Sequence, residues 1–140
     1  MSGKAAVVIR IVSESDDQVI EQEARGDFYS KGDYGYIRYE ENTADLGRTS
    51  TVIKLGLGRI RILRHGDIAS EQSFEAGRRL PGYYETPQGR LALATSTDEL
   101  YIGLKDGIGE VRWSYTLLLG GEEAGHYRLQ LRTEPAPSTG

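Results

Sequence analysis

The sequence has no cysteine, only two histidines and a single tryptophan in 140 residues. The missing thiols exclude disulfides, thiolate nucleophiles and cysteine-ligated metals, and an oxidising compartment has left no mark. His65 and His126 stand at neither an H-x-H nor an H-x-x-x-H spacing, and no nucleophile motif such as G-x-S-x-G lies beside either. We therefore expect no metal, no cofactor and no enzymatic activity. Adjacent carboxylates at 16–17, 40–41 and 122–123 fall on opposite faces of an extended chain, which builds no paired acid and base. The glycine-containing "LGLGRI" lacks the lysine of a phosphate loop and the following helix of a dinucleotide site, so it reads as a turn between two strands.

Basic blocks and long apolar runs are also missing. Lys and Arg number 17 against 21 Asp and Glu, for a net charge of −4 spread along the chain. That balance predicts neither a nucleic-acid nor a membrane partner. The opening "MSGKAAVVIRIVSESDD" has an apolar run too short, and broken by Arg10, for a signal peptide or a membrane span, and the expectation is a cytoplasmic protein.

What the chain does have is glycine, 18 of them, nine tyrosines, and alternation. Leu100, Ile102 and Leu104 share one face of an extended segment, as do Val111, Trp113, Tyr115, Leu117 and Leu119, then Tyr127, Leu129 and Leu131. Lys105, Arg112, Ser114, Thr116, Arg128, Gln130 and Arg132 take the opposite face. Val7, Ile9 and Ile11 oppose Arg10 in the same way, and Ile20, Ala24 and Phe28 oppose a charged set. Short polar punctuators separate these runs, among them "SKGDYG", "GLG", "HGD", "KDGIG" and "GGEEAG". The spacing predicts an all-β domain over residues 1–134, followed by a flexible tail at 135–140, the end of the Pro-, Ser- and Gly-rich "TEPAPSTG" (133–140). Sequential hairpins favour one closed or nearly closed antiparallel up-and-down β-barrel of about 8–10 strands over a sandwich, because closure removes exposed edges. Gly26, Gly35, Gly56 and Gly103 fall in or at the ends of strands, where a small barrel must coil sharply. Ile62, Leu93, Ile102, Trp113, Leu117 and Leu129 are expected to face a shared core.

"YIRYEE" (36–41), "TVIKL" (51–55), "ILRHG" (62–66), "SFEAGRR" (73–79) and "YYETPQGRLAL" (83–93) occur in an order and spacing that resembles the YwiB-like family. This is a set of small bacterial proteins of unknown function described as calycin-like barrels. The resemblance covers roughly residues 5–133, and its most specific element is Tyr84-Glu85-Thr86-Pro87 followed by Gly89. It implies a lipocalin-like barrel and supplies no activity. The Gly-X-Trp start of lipocalins is absent, and where fatty-acid-binding barrels carry Arg-X-Tyr this chain reads Trp113-Ser114-Tyr115.

Parity singles out one residue. Ile60, Ile62 and Arg64 lie on one face, so Arg64 points inward near the "HGD" turn, close to one mouth. A buried guanidinium needs a carboxylate or several carbonyls. Glu40 or Glu41 can supply one, and we take Glu40 as counter-ion, with Tyr39 beside it and the Tyr84 hydroxyl as a further donor. Thr86 joins Tyr84 on one side of the rigid "YYETPQG" corner. The plainer reading is that Arg64 seals the barrel with a salt bridge and that the corner is structural. Two functions follow: a barrel that binds a small amphipathic or anionic ligand at one mouth through Arg64, Glu40, Tyr39, Tyr84 and Thr86, or a filled barrel that displays a surface around Tyr34, Tyr36 and Tyr39 to a protein partner or forms a homodimer. Trp113, Tyr115, Phe28, Phe74 and Tyr127 favour an interior that is largely filled, with at most a cleft at one end.

Overall fold

Alternation becomes strands almost throughout. The computed structural model describes residues 4–43 and 47–137, and these form β1 (Lys4–Ser15), β2 (Gln18–Lys31), β3 (Tyr34–Thr43), β4 (Gly47–Gly56), β5 (Arg59–Gly66), β6 (Ala69–Glu75), β7 (Arg79–Thr86), β8 (Gly89–Lys105), β9 (Ile108–Leu119) and β10 (Glu122–Pro135). Each strand pairs antiparallel with the next, and β1 pairs with β10 to close the ring. The sandwich alternative is thereby excluded. Three of the hairpins turn on two residues with positive φ: Leu57-Gly58 (52° and 73°), Asp106-Gly107 (53° and 82°) and Gly120-Gly121 (59° and 85°). Such turns match the twist of the strands they join, which is why "GLG", "KDG" and "GG" mark strand ends in the sequence. β10 carries its pairing to Pro135, opposite Val7, and the Ala136 amide donates to the Ala6 carbonyl. The beginning of the expected tail is thus held to β1, while residues 138–140 lie outside the described residues.

Up-and-down topology sets the two mouths. The chain ends lie at one, and the β1–β2, β3–β4, β5–β6, β7–β8 and β9–β10 hairpins at the other. Nearer the chain ends the interior is apolar, with Val7, Ile9, Ile37, Ile53, Leu55, Ile60, Val111 and Leu131 buried in one cluster. Burying each such side chain contributes roughly 1.5–3 kcal/mol before entropy is counted. Of the expected core set, Ile62 and Trp113 belong to this cluster, and Ile102, Leu117 and Leu129 pack against it. Leu93 does not. It is half-buried, because β8 runs 17 residues and shifts register between Thr97 and Glu99, which carries its first half past the cluster toward the hairpin mouth.

Gly26 shows why a strand glycine is needed. A methyl group added there would run into the Arg38 carbonyl and lie 3.0 Å from both Ile9 Cδ1 and Tyr39 Cβ. Its absence lets β3 press close and brings Tyr39 over the interior. Gly26→Ala is expected to destabilise the fold by about 1–3 kcal/mol through overpacking, measured by urea unfolding. A change below a few tenths of a kcal/mol would show that β3 is free to move.

Candidate functional site

Pairing register assembles the site in a single row. Tyr39 on β3 lies opposite Thr51 on β4, Thr51 opposite Arg64 on β5, Arg64 opposite Ser70 on β6, and Ser70 opposite Tyr84 on β7. Directly opposite residues share a face, and Thr51 and Ser70 are buried, so the row faces the interior. Glu41, two residues beyond Tyr39, joins the same face and is buried. Arg64 therefore points inward as its parity required.

Its partner is Glu41 and not Glu40. Arg64 Nε donates to Glu41 Oε2 at 3.1 Å, and the carboxylate also accepts from Thr51 Oγ1 at 2.5 Å and Gln22 Nε2 at 3.0 Å. Glu40 faces out, where Ser50 Oγ donates to it at 2.6 Å. The correction follows from Ile37, which is fully buried and fixes odd-numbered residues of β3 as inward. Tyr36 and Tyr39 have opposite parity and hide this in the sequence. The Glu41 side chain is 1% exposed and that of Arg64 22%, so the pair joins a dry carboxylate to a guanidinium that water reaches at one edge.

Tyr84 stands in the row but is only half-buried. Thr86 is engaged in its own corner: its Oγ1 accepts from the Gln88 amide at 3.1 Å, an arrangement that rigidifies the turn. Tyr34 and Tyr36 do not form one patch with Tyr39. Tyr36 stacks on Tyr29 with ring centroids 5.0 Å apart, and Lys54 Nζ sits 4.2 Å from the Tyr34 ring centroid, while Tyr39 is turned inside.

Beside the ion pair is a hollow of about 220 Å³. Arg64, Tyr39, Gln22, Gln72 and Ser13 give it polar walls, and Phe74, Trp113, Tyr115 and Tyr127 give it aromatic ones. Phe74 packs against Tyr115 (4.7 Å between centroids) and Trp113 (5.8 Å), and Tyr115 stacks on Tyr127 (5.3 Å). The interior is thus packed mainly with aliphatic side chains nearer the chain ends and walled by rings around the hollow. Trp113 Nε1, fully buried, has no hydrogen-bond partner, and neither do Ser70 Oγ and Thr97 Oγ1. An unanswered buried donor costs about 1–3 kcal/mol, a cost the packing around Trp113 carries. Sequence alone could not show it, because which groups are left unpaired depends on register across five strands.

Electrostatics keep the site in a defined state. Burial alone would raise the Glu41 carboxyl, but the Arg64 charge and the hydrogen bonds from Thr51, Gln22 and Arg64 outweigh it and hold the group below its ordinary 4.5. Burial pushes the Tyr39 phenol up, with the Glu41 charge adding to it and Arg64 opposing. Burial likewise raises Tyr115, and the Tyr127 phenol adds to that effect. Both phenols remain protonated donors. Because the folded Glu41 binds its proton less readily than the unfolded one, its contribution to stability is complete above 4.5 and is lost as pH falls below that value. Between about pH 5 and pH 3 the urea midpoint of the wild type should fall more steeply than that of Glu41→Gln. Parallel slopes would show that Glu41 is not held ionised by its neighbours.

A larger concavity of about 840 Å³ lies on the outer face of β8, β9, β10 and β1. Its Arg112, Arg128 and Arg132 stand among Glu14, Glu99 and Glu110 in the open, with Arg112 Nε 3.7 Å from Glu110. Exposed pairs of this kind contribute little. The charged pair with the drier surroundings is the one inside, Glu41 and Arg64.

A family described as a domain of unknown function, DUF1934, matches residues 6–131. The chain belongs to that family. It is 29% identical over 113 residues to the uncharacterized beta-barrel protein YwiB of Bacillus subtilis (strain 168), an alignment covering 81% of this chain and 79% of YwiB. The crystal structure of the ywiB protein from Bacillus subtilis superposes with a TM-score of 0.77 at 25% identity, covering 97% of this chain and 94% of that one. The resemblance read from "YYETPQGRLAL" and its companions is thereby established, and so is the barrel.

Proposed function

We propose that the protein is a non-catalytic binding barrel that holds one compact amphipathic small molecule between the Glu41–Arg64 pair and the aromatic wall. The observation that carries this reading is the hollow itself, walled by Arg64, Gln22, Gln72 and Ser13 together with the rings of Phe74, Trp113, Tyr115 and Tyr127. Volume sets the ligand's scale. Pockets for drug-sized ligands and cofactors span about 300–1,000 Å³, so 220 Å³ is too small for a nucleotide or a long-chain fatty acid. Arg64 is the one charged side chain in the lining and borders water, which places the polar group of the ligand toward the hairpin mouth.

A thermal-shift screen of small polar-headed compounds tests the proposal. At about a hundredfold excess over Kd a true ligand stabilises by roughly 2.7 kcal/mol, a rise in Tm of about 5–10 °C for a chain of this size. The double variant Glu41→Gln/Arg64→Met should remain folded and lose the response. If no compound up to the size of a substituted single ring shifts the wild type, the binding reading falls.

A further inference from the structure

The charge state and the shape of the hollow narrow the ligand further, given the reading that the hollow is a ligand site. Arg64 is its one charged wall, and that charge is already answered by Glu41, whose carboxylate takes three hydrogen bonds. A ligand carboxylate or phosphate would bring a second buried anion to a single shared cation, and an uncompensated buried ion carries a penalty of several kcal/mol. The site is electrically closed before anything enters. The other polar walls are neutral, Ser13, Gln22, Tyr39 and Gln72, and call for a neutral polar group such as a carbonyl oxygen.

Four rings, Phe74, Trp113, Tyr115 and Tyr127, line the space, and each well-placed aromatic contact adds about 0.5–1.5 kcal/mol beyond its area. An apolar cavity of about 150 Å³ is enough to hold benzene. A space of 220 Å³ therefore admits one ring and a small substituent. We propose that the hollow takes a neutral, single-ring aromatic or heteroaromatic compound bearing a carbonyl-type oxygen, with that oxygen toward Arg64 and Gln72 and the ring lying against Phe74 and Tyr115. The anionic ligand expected from Arg64 alone is disfavoured because Glu41 has already neutralised it.

Benzamide and benzoate have nearly the same shape and differ in charge, so they decide between these cases. Trp113 is the only tryptophan, and its emission reports directly on the hollow. In a fluorescence titration of the wild type near neutral pH, benzamide should saturate the signal and benzoate should bind at least tenfold more weakly. Gln72→Leu keeps the volume of the wall and removes its amide. By calorimetry it should weaken benzamide several-fold, up to about tenfold, the worth of one hydrogen bond, and leave toluene unchanged. Benzoate binding as tightly as benzamide would overturn the neutral class while leaving the hollow a ligand site. An equal loss for toluene and benzamide in Gln72→Leu would overturn the role of the polar wall. If that variant does not fold, the wild-type comparison of benzamide with benzoate still decides the charge class. Saturating concentrations of benzamide, benzoate and toluene all failing to bind would overturn this inference and the binding reading together.

Discussion

Phe74→Ala is expected to lower the stability of the barrel by about 3–5 kcal/mol, the cost typical of deleting a buried aromatic ring. Phe74 is fully buried and joins the apolar cluster to the rings of Trp113 and Tyr115. It also borders the hollow, so its removal merges a new cavity with one already present, and strands fixed in a closed ring cannot collapse to fill it. Cavity volume adds to the lost transfer energy at about 24 cal/mol per Å³, which places this site toward the upper end of the range. Urea unfolding reads the effect. A loss below about 1 kcal/mol would mean that the surrounding rings repack into the space, and the hollow would then be no fixed feature of the fold.

Arg64→Met should cost about 3 kcal/mol, the lower end of the loss seen when one partner of a buried pair is removed. The lower end applies because water reaches about a fifth of the Arg64 side chain. Nearly all of the loss comes from Glu41, left buried with its charge unanswered by a cation. Glu41→Gln alone should be destabilising for the converse reason. The double variant Glu41→Gln/Arg64→Met should recover most of the loss and lie within about 1 kcal/mol of the wild type, since an apolar and amide pair of similar volume substitutes well for a buried ion pair. Strictly additive losses would show that the two side chains do not act as a unit.

The sequence made the barrel legible where polar and apolar residues alternate cleanly, as over Val111–Thr116 of β9 and Tyr127–Arg132 of β10. Register was not legible, because it depends on partners far along the chain. Arg64 could be placed inward because Ile60 and Ile62 share its parity, whereas β3 presented tyrosines on both faces and two adjacent glutamates. The choice between Glu40 and Glu41 rests on Ile37, whose burial is a property of the closed ring. Tyr84 was expected to offer its hydroxyl to Arg64, but pairing places it two strands away along the row and half-buried. Thr86 looked like a presented hydroxyl and is instead the acceptor that stiffens its own turn. The hollow was legible only as a cleft expected at one end, without its walls or its size. The same aromatic residues that suggested a filled interior are the walls of a space they do not fill.

A crystal structure of the purified protein tests the central claim most directly, since that claim is a polar-ended hollow inside a closed barrel. The account predicts Arg64 turned inward on Glu41, Phe74 and Trp113 in contact, and a space of about 220 Å³ between them that holds ordered density within hydrogen-bond reach of Arg64 or Gln72. Side chains collapsed to fill that space, with Arg64 swung out to solvent and Glu41 left to other partners, would contradict it.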